Sequence, residues 1–164
     1  MKELLTSVTI WLALGCYAVA QLQRRQQTVL TGGVGLCLSA IGWVLYVGHV
    51  LLALEAHYDW SHVTAYTETA VQTERLTGWR WGGGLYVNYL FSIVWGIEVS
   101  WWWLTPSRYH NRANWLELWM RAFFLLMIVT GAVAFVSGHR RWLGLLIVSI
   151  LLVAWRPSER KYTK

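Results

Sequence analysis

The sequence predicts an all-α fold: a polytopic transmembrane helix bundle of about five spans, or four, with a short interfacial helix after the second. Three observations predict it. Of the residues, 56% are hydrophobic and only 13% charged, against roughly 25% charged in an ordinary soluble domain. Apolar runs recur near the roughly 17 to 25 residues that a spanning helix needs. Most of the 13 Trp stand at the ends of those runs, where an amphipathic ring keeps its N–H wet and its face in lipid.

The first run covers residues 4–20. Together with Lys2 and the Ala18-Val19-Ala20 sequence it imitates a cleavable signal peptide. Glu3 dilutes the positive start, and Arg24-Arg25 oppose export of the following flank, so a retained span is the expectation. The second run, 31–54, and the third, 83–104, are long enough to cross. The fourth covers 115–136, and Pro106 and Pro157 follow the ends of proposed helices, where stops belong. The fifth, 141–155, is short, its uncharged stretch extending only about 21 Å at 1.5 Å per residue. Arg141 and Arg156 complete it by snorkelling; without that it dips in and four crossings remain.

Between the second and third runs, Asp59 or Ser61 is placed to cap a surface helix near 61–76, and Gly78 to end it in the left-handed conformation. The whole chain, 1–164, then reads as one membrane-embedded domain. With five crossings, one side receives Arg24, Arg25, Arg108, Arg112, Arg156, Arg160, Lys161 and Lys164, and the other Lys2, Arg75, Arg80, Arg140 and Arg141. That bias predicts a multi-pass protein of the cell membrane, N-terminus outside and C-terminus cytoplasmic. Positive-inside topology also accounts for the net charge of +6 better than nucleic acid does, because no basic helix face or RNA-type motif is present.

Charges at membrane depth are expensive and ask for partners. Glu98 lies six residues before Leu104, and Arg121 six after Trp115, so both are about 9 Å inside the same interface. They are expected to pair, although Glu117, one turn before Arg121, competes for it. At the other interface His49 and Asn88 reach equal depths of about 7.5 Å, and a polar contact between them is expected. The small-residue rows Gly96 with Ser100, and Thr130 with Ala134 and Gly138, offer close-packing helix faces.

His57, Asp59 and His62, with His49 upstream, carry the donor types that hold Zn, Cu or Fe. Their spacing matches no known metal signature, and helix capping and headgroup-layer roles account for the same residues. A b-type haem needs axial ligands, and His49, alone or with His139, is the remaining candidate. No cofactor is predicted, with haem or a metal ion kept as the alternative. Cys16 and Cys37 read as small apolar residues, and no nucleophile arrangement stands out. The three glycines 82–84 precede no GK[ST] ending and read as a tight helix entry.

The leaning is therefore away from an enzyme. The expectation is a non-catalytic assembly or accessory subunit that contacts the lipid bilayer and other membrane subunits or itself, and not nucleic acid. The alternatives are a redox or metal-linked subunit with its site at the outer end of spans two and three, and a small transporter component.

Overall fold

Every regular element among the described residues is helical. The structure is a computed structural model describing residues 2–26 and 33–156, and the backbone alone at 2, 3, 25 and 26. Thr31, where the second run was expected to begin, lies outside the described residues, as do Pro157, Arg160, Lys161 and Lys164 and the side chains of Lys2 and Arg25. The elements are α1 (Lys2–Gln26), α2 (Gly33–Tyr58), α3 (His62–Thr77), α4 (Gly84–Leu104), α5 (Pro106–His110), α6 (Asn114–Val129) and α7 (Arg140–Ala154). A π-helical turn, Thr130–Ala134, continues α6.

Three stretches, Leu4–Arg24, Gly33–Tyr58 and Asn114–Ala134, are long and apolar enough to cross a membrane. Their outward faces are apolar. Ile41, Val44 and Leu51 on α2 and Leu118 and Leu126 on α6 are exposed, the distribution expected of a bundle whose surroundings are hydrocarbon.

Aromatic side chains from four helices interlock in the core. Tyr17 of α1 stacks on Phe124 of α6 at 4.7 Å, and Tyr46 of α2 meets Phe91 of α4 edge-on at 4.9 Å. Trp95 of α4, fully buried, lies 5.1 Å from Tyr17 and 5.9 Å from Phe124. Such edge-to-face contacts add roughly 0.5–1.5 kcal/mol each beyond burial. A buried indole N–H needs an acceptor, and Trp95 Nε1 donates to Ser39 Oγ at 3.2 Å.

The connections follow from local backbone chemistry. Asp59 and Trp60 both adopt positive φ, 44° and 62°, and the Trp60 N–H returns to the Leu54 carbonyl to close α2. Ser61, not Asp59, caps α3: its Oγ accepts the Thr64 N–H at 3.2 Å. Gly78, at φ 77°, ends α3 with its N–H on the Glu74 carbonyl. A side chain at Gly82 would collide with the Tyr66 carbonyl and ring, so glycine there lets the α4 entry lie directly against α3. Pro106 opens α5 rather than merely stopping α4, as its fixed φ and missing N–H suit a first helical turn.

Contacts gather the helix ends into two layers. Arg24 of α1 meets Glu117 of α6, and Gln21 meets Trp155 beyond α7. At the opposite end Thr6 of α1 meets His49 of α2, Ser7 meets Arg140 of α7, and His62 of α3 meets Tyr89 of α4.

Candidate functional site

The densest polar constellation is at the Arg24 end of the bundle. The turn at Thr105 and Pro106 folds the short helix α5 back beneath α4, bringing the Tyr109 hydroxyl to Glu98 Oε1 at 2.7 Å. Glu98 is 3% exposed, and its other oxygen has no partner among the described residues. Burial and the neighbouring Glu98 push the Tyr109 hydroxyl far above the ordinary phenol range, so it remains a donor. Trp102 stacks on one face of the Tyr109 ring at 5.1 Å, and the Arg112 guanidinium lies over the ring at 4.1 Å.

Glu117 is the hub of the cluster. Its Oε1 takes Arg24 at 2.8 Å, lies 3.8 Å from Arg112, and accepts Arg121 from one helical turn further along. The three guanidiniums are graded in exposure: the Arg112 side chain is 1% exposed, Arg24 12% and Arg121 31%. Their other hydrogen bonds among the described residues are to neutral acceptors. Arg24 donates to Gln21 Oε1 at 3.3 Å, Arg112 to the Tyr109 carbonyl at 2.9 Å, and Arg121 to the Trp155 carbonyl at 3.2 Å.

This arrangement corrects the expected Glu98–Arg121 ion pair. The two residues take different partners, Glu98 accepting from Tyr109 and Arg121 bonding within its own helix to Glu117. The physical reason is proximity. Glu117 sits at the i,i+4 spacing that places side chains together on a helix face, whereas Arg121 would have to leave that neighbour to reach Glu98. Arg24, Arg112, Tyr109 and Gln21 were not singled out for this network. Arg24 and Arg112 read as topology charges, and α5 is too short to give Tyr109 a periodic signal.

At the opposite end, His49 and Asn88 do not bond to one another. His49 Nδ1 lies 2.8 Å from the Thr6 carbonyl, an acceptor only, so Nδ1 carries the hydrogen. Asn88 Oδ1 accepts from the Tyr46 hydroxyl instead, so the polar link between α2 and α4 exists with Tyr46 in the role expected of His49. Tyr46 is one turn before His49, and its longer side chain reaches across.

The expected metal candidates also separate. Among the described residues no three His, Cys, Asp or Glu side chains converge to hold a metal ion. His49 is engaged with Thr6, His62 Nδ1 lies 3.2 Å from the Tyr89 hydroxyl, His57 packs beside Tyr58, and Asp59 occupies the left-handed turn. Sequence proximity did not become convergence because that turn divides His57 on α2 from His62 on α3. His139 lies immediately before α7.

A groove of about 530 Å³ runs along the outer surface between α2 and α4, lined by Trp43, Ser92, Gly96, Ile97, Ser100 and Leu104 among others. Trp43 forms one wall and donates its Nε1 hydrogen to the Ser92 carbonyl at 2.9 Å. No known family model matches the chain, and neither a curated protein nor a solved structure is significantly similar to it.

Proposed function

We propose that this chain is a five-crossing membrane protein that acts by assembly, packing α4 of one copy against α4 of a second through the α2/α4 groove. The observation that carries the reading is the groove floor, where Ser92, Gly96 and Ser100 are spaced four residues apart, with the Trp43 indole packed on Gly96 and Ser100 left exposed. Small residues at this spacing let helix backbones approach closely in lipid, where van der Waals contact replaces the hydrophobic effect as the driving force. A row of this kind is self-complementary, as a two-fold interface requires. Exposed Ile93, Ile97 and Leu104 flank it and supply the ridges.

The five crossings rest on α4 and α7 joining the three apolar stretches Leu4–Arg24, Gly33–Tyr58 and Asn114–Ala134. With 21 residues, α4 is about 31 Å long, and Glu98 is its only charge. With 15 residues, α7 is about 22 Å long and is bracketed by Arg140, Arg141 and Arg156, whose stems can extend a short span. The balance of basic residues supports an outside N-terminus and a cytoplasmic C-terminus.

The test is stoichiometry in lipid. In nanodiscs large enough for two copies, native mass spectrometry of the wild type is expected to show a dimer. Ser100→Leu, which fills the exposed end of the row, is expected to shift the population toward monomer at least about tenfold. A wild type that stays monomeric at every loading density would overturn the reading.

A further inference from the structure

We propose that Arg24, Arg112 and Arg121 form a binding site for a phosphate group, the headgroup of an anionic phospholipid or free phosphate. Two independent observations meet here. The first is charge: among the described residues three guanidiniums gather on a single oxygen of Glu117, and the one other acidic side chain of the cluster is Glu98. The second is an excess of donors. Four buried side-chain polar atoms lack a partner among the described residues: three are N–H donors of this cluster, Gln21 Nε2, Arg112 Nε and Arg121 Nε, against one acceptor, Glu98 Oε2, whose partner oxygen is held by Tyr109. Gln21 Oε1 already accepts from both Arg24 and Trp155, so it offers these donors nothing further.

Buried donors without acceptors are costly, and a surplus of several in one place is not what helix packing alone favours. A tetrahedral oxyanion answers both observations, since it brings negative charge and several acceptor oxygens that match the guanidinium fork. The Arg112 side chain, 1% exposed, sets the floor of the site, and Arg121, 31% exposed, with Glu117, 21% exposed, forms its open edge. That edge adjoins a lipid-facing surface: Trp115, Leu118 and Trp119 of the same helix are exposed. A headgroup at Arg121 would therefore leave its acyl chains against these side chains. Basic pockets between membrane helices recognise anionic headgroups by this chemistry.

The experiment uses the full chain in a neutral detergent at fixed ionic strength. Thermal unfolding is followed with dioctanoyl phosphatidylglycerol, dioctanoyl phosphatidylcholine, inorganic phosphate or chloride added. Saturable stabilisation by the anionic lipid above the phosphatidylcholine control identifies a headgroup site. Stabilisation by inorganic phosphate above chloride, with the two lipids equal, identifies a free-phosphate site. In either case Arg121→Gln is expected to weaken the apparent affinity about tenfold, the effect of losing one charge-assisted hydrogen bond. Arg75→Gln on α3, which removes a charge remote from the cluster, is expected to leave it unchanged. Should Arg121→Gln fold poorly, ³¹P NMR of the wild type with the same probes decides, a broadened resonance saturating at one phosphate per chain being expected. No stabilisation beyond the controls, no such resonance, or equal weakening by Arg75→Gln would overturn the proposal.

Discussion

Tyr109 donates its hydroxyl hydrogen to Glu98 at 2.7 Å across the Pro106 turn, tying a residue of the short helix α5 to the one charge inside α4. The bond satisfies one oxygen of a carboxyl group that is only 3% exposed. It also fixes the ring that Trp102 and Arg112 pack against.

Removing that hydroxyl leaves Glu98 buried without its donor. Tyr109→Phe is therefore expected to destabilise the protein by about 1–3 kcal/mol, read from chemical or thermal unfolding in detergent. Tyr86→Phe, at an exposed ring on the same helix as Glu98, serves as the control. The pH dependence has a definite sign. A phenol whose folded pKa is raised contributes stability that is fully present below its unfolded value of about 10 and is lost as pH rises above it. Stability of the wild type should fall above about pH 10 through this group, and the corresponding fall should be smaller in Tyr109→Phe.

Glu117 contacts three guanidiniums through one oxygen, so its loss should exceed that of any one partner. Breaking a buried ion pair costs roughly 3–5 kcal/mol, and because Glu117 is 21% exposed a figure of about 2 kcal/mol is expected for Glu117→Gln. Among the arginines the damage should follow burial, with Arg112→Met worst and Arg121→Met mildest. Unfolding midpoints of the four variants in one detergent test the order, and a Glu117→Gln protein as stable as Arg121→Met would refute the hub.

Coupling separates the observed pairs from the one that depth alone suggests. In a double-mutant cycle Glu98→Gln and Arg121→Met should add to within about 0.5 kcal/mol, as sites with different partners do. Glu117→Gln with Arg121→Met should instead show a coupling energy above that level. A strong Glu98–Arg121 coupling would mean that the two carboxylates exchange Arg121.

The sequence made some of this legible and not the rest, for physical reasons. Ser61 and Gly78 were readable because a cap and a left-handed helix end are local requirements that few residue types satisfy. The apolar runs were readable because lipid imposes length and composition directly. The partner of Glu98 was not. Depth arithmetic places residues along the membrane normal but says nothing of azimuth, and the actual donor comes from a five-residue helix with no periodicity of its own. The histidines failed as a cluster because two successive residues with positive φ, Asp59 and Trp60, turn the chain between them, and neither is the glycine that would have announced the turn.

Capping of α3 offers a local test. Ser61→Ala should weaken the first turn of α3 by about 1 kcal/mol, seen as faster amide exchange near residue 64 with little change in global unfolding. Asp59→Gly should leave that exchange unchanged, since Asp59 turns the chain and does not cap, and glycine tolerates its φ of 44°. Faster exchange in Asp59→Gly alone would reverse the assignment.

Topology remains the most decisive measurement, because it fixes which end of the bundle meets the cytoplasm. Under the proposed five crossings the basic residues outside the spans divide eight to five in favour of the flanks that include Arg24, so α3 is expected on the extracytoplasmic face, and the arginine cluster near the inner leaflet. Gln72 is exposed on α3, so a cysteine there is accessible without disturbing packing. In a background carrying Cys16→Ala and Cys37→Ala, Gln72→Cys should react with a membrane-impermeant maleimide in intact cells. A cysteine at Arg108, exposed in α5 at the opposite end, should react only after lysis. The reverse pattern would invert the orientation. Labelling of both positions in intact cells would mean that the helices between them cross an even number of times, and would remove the five-crossing arrangement.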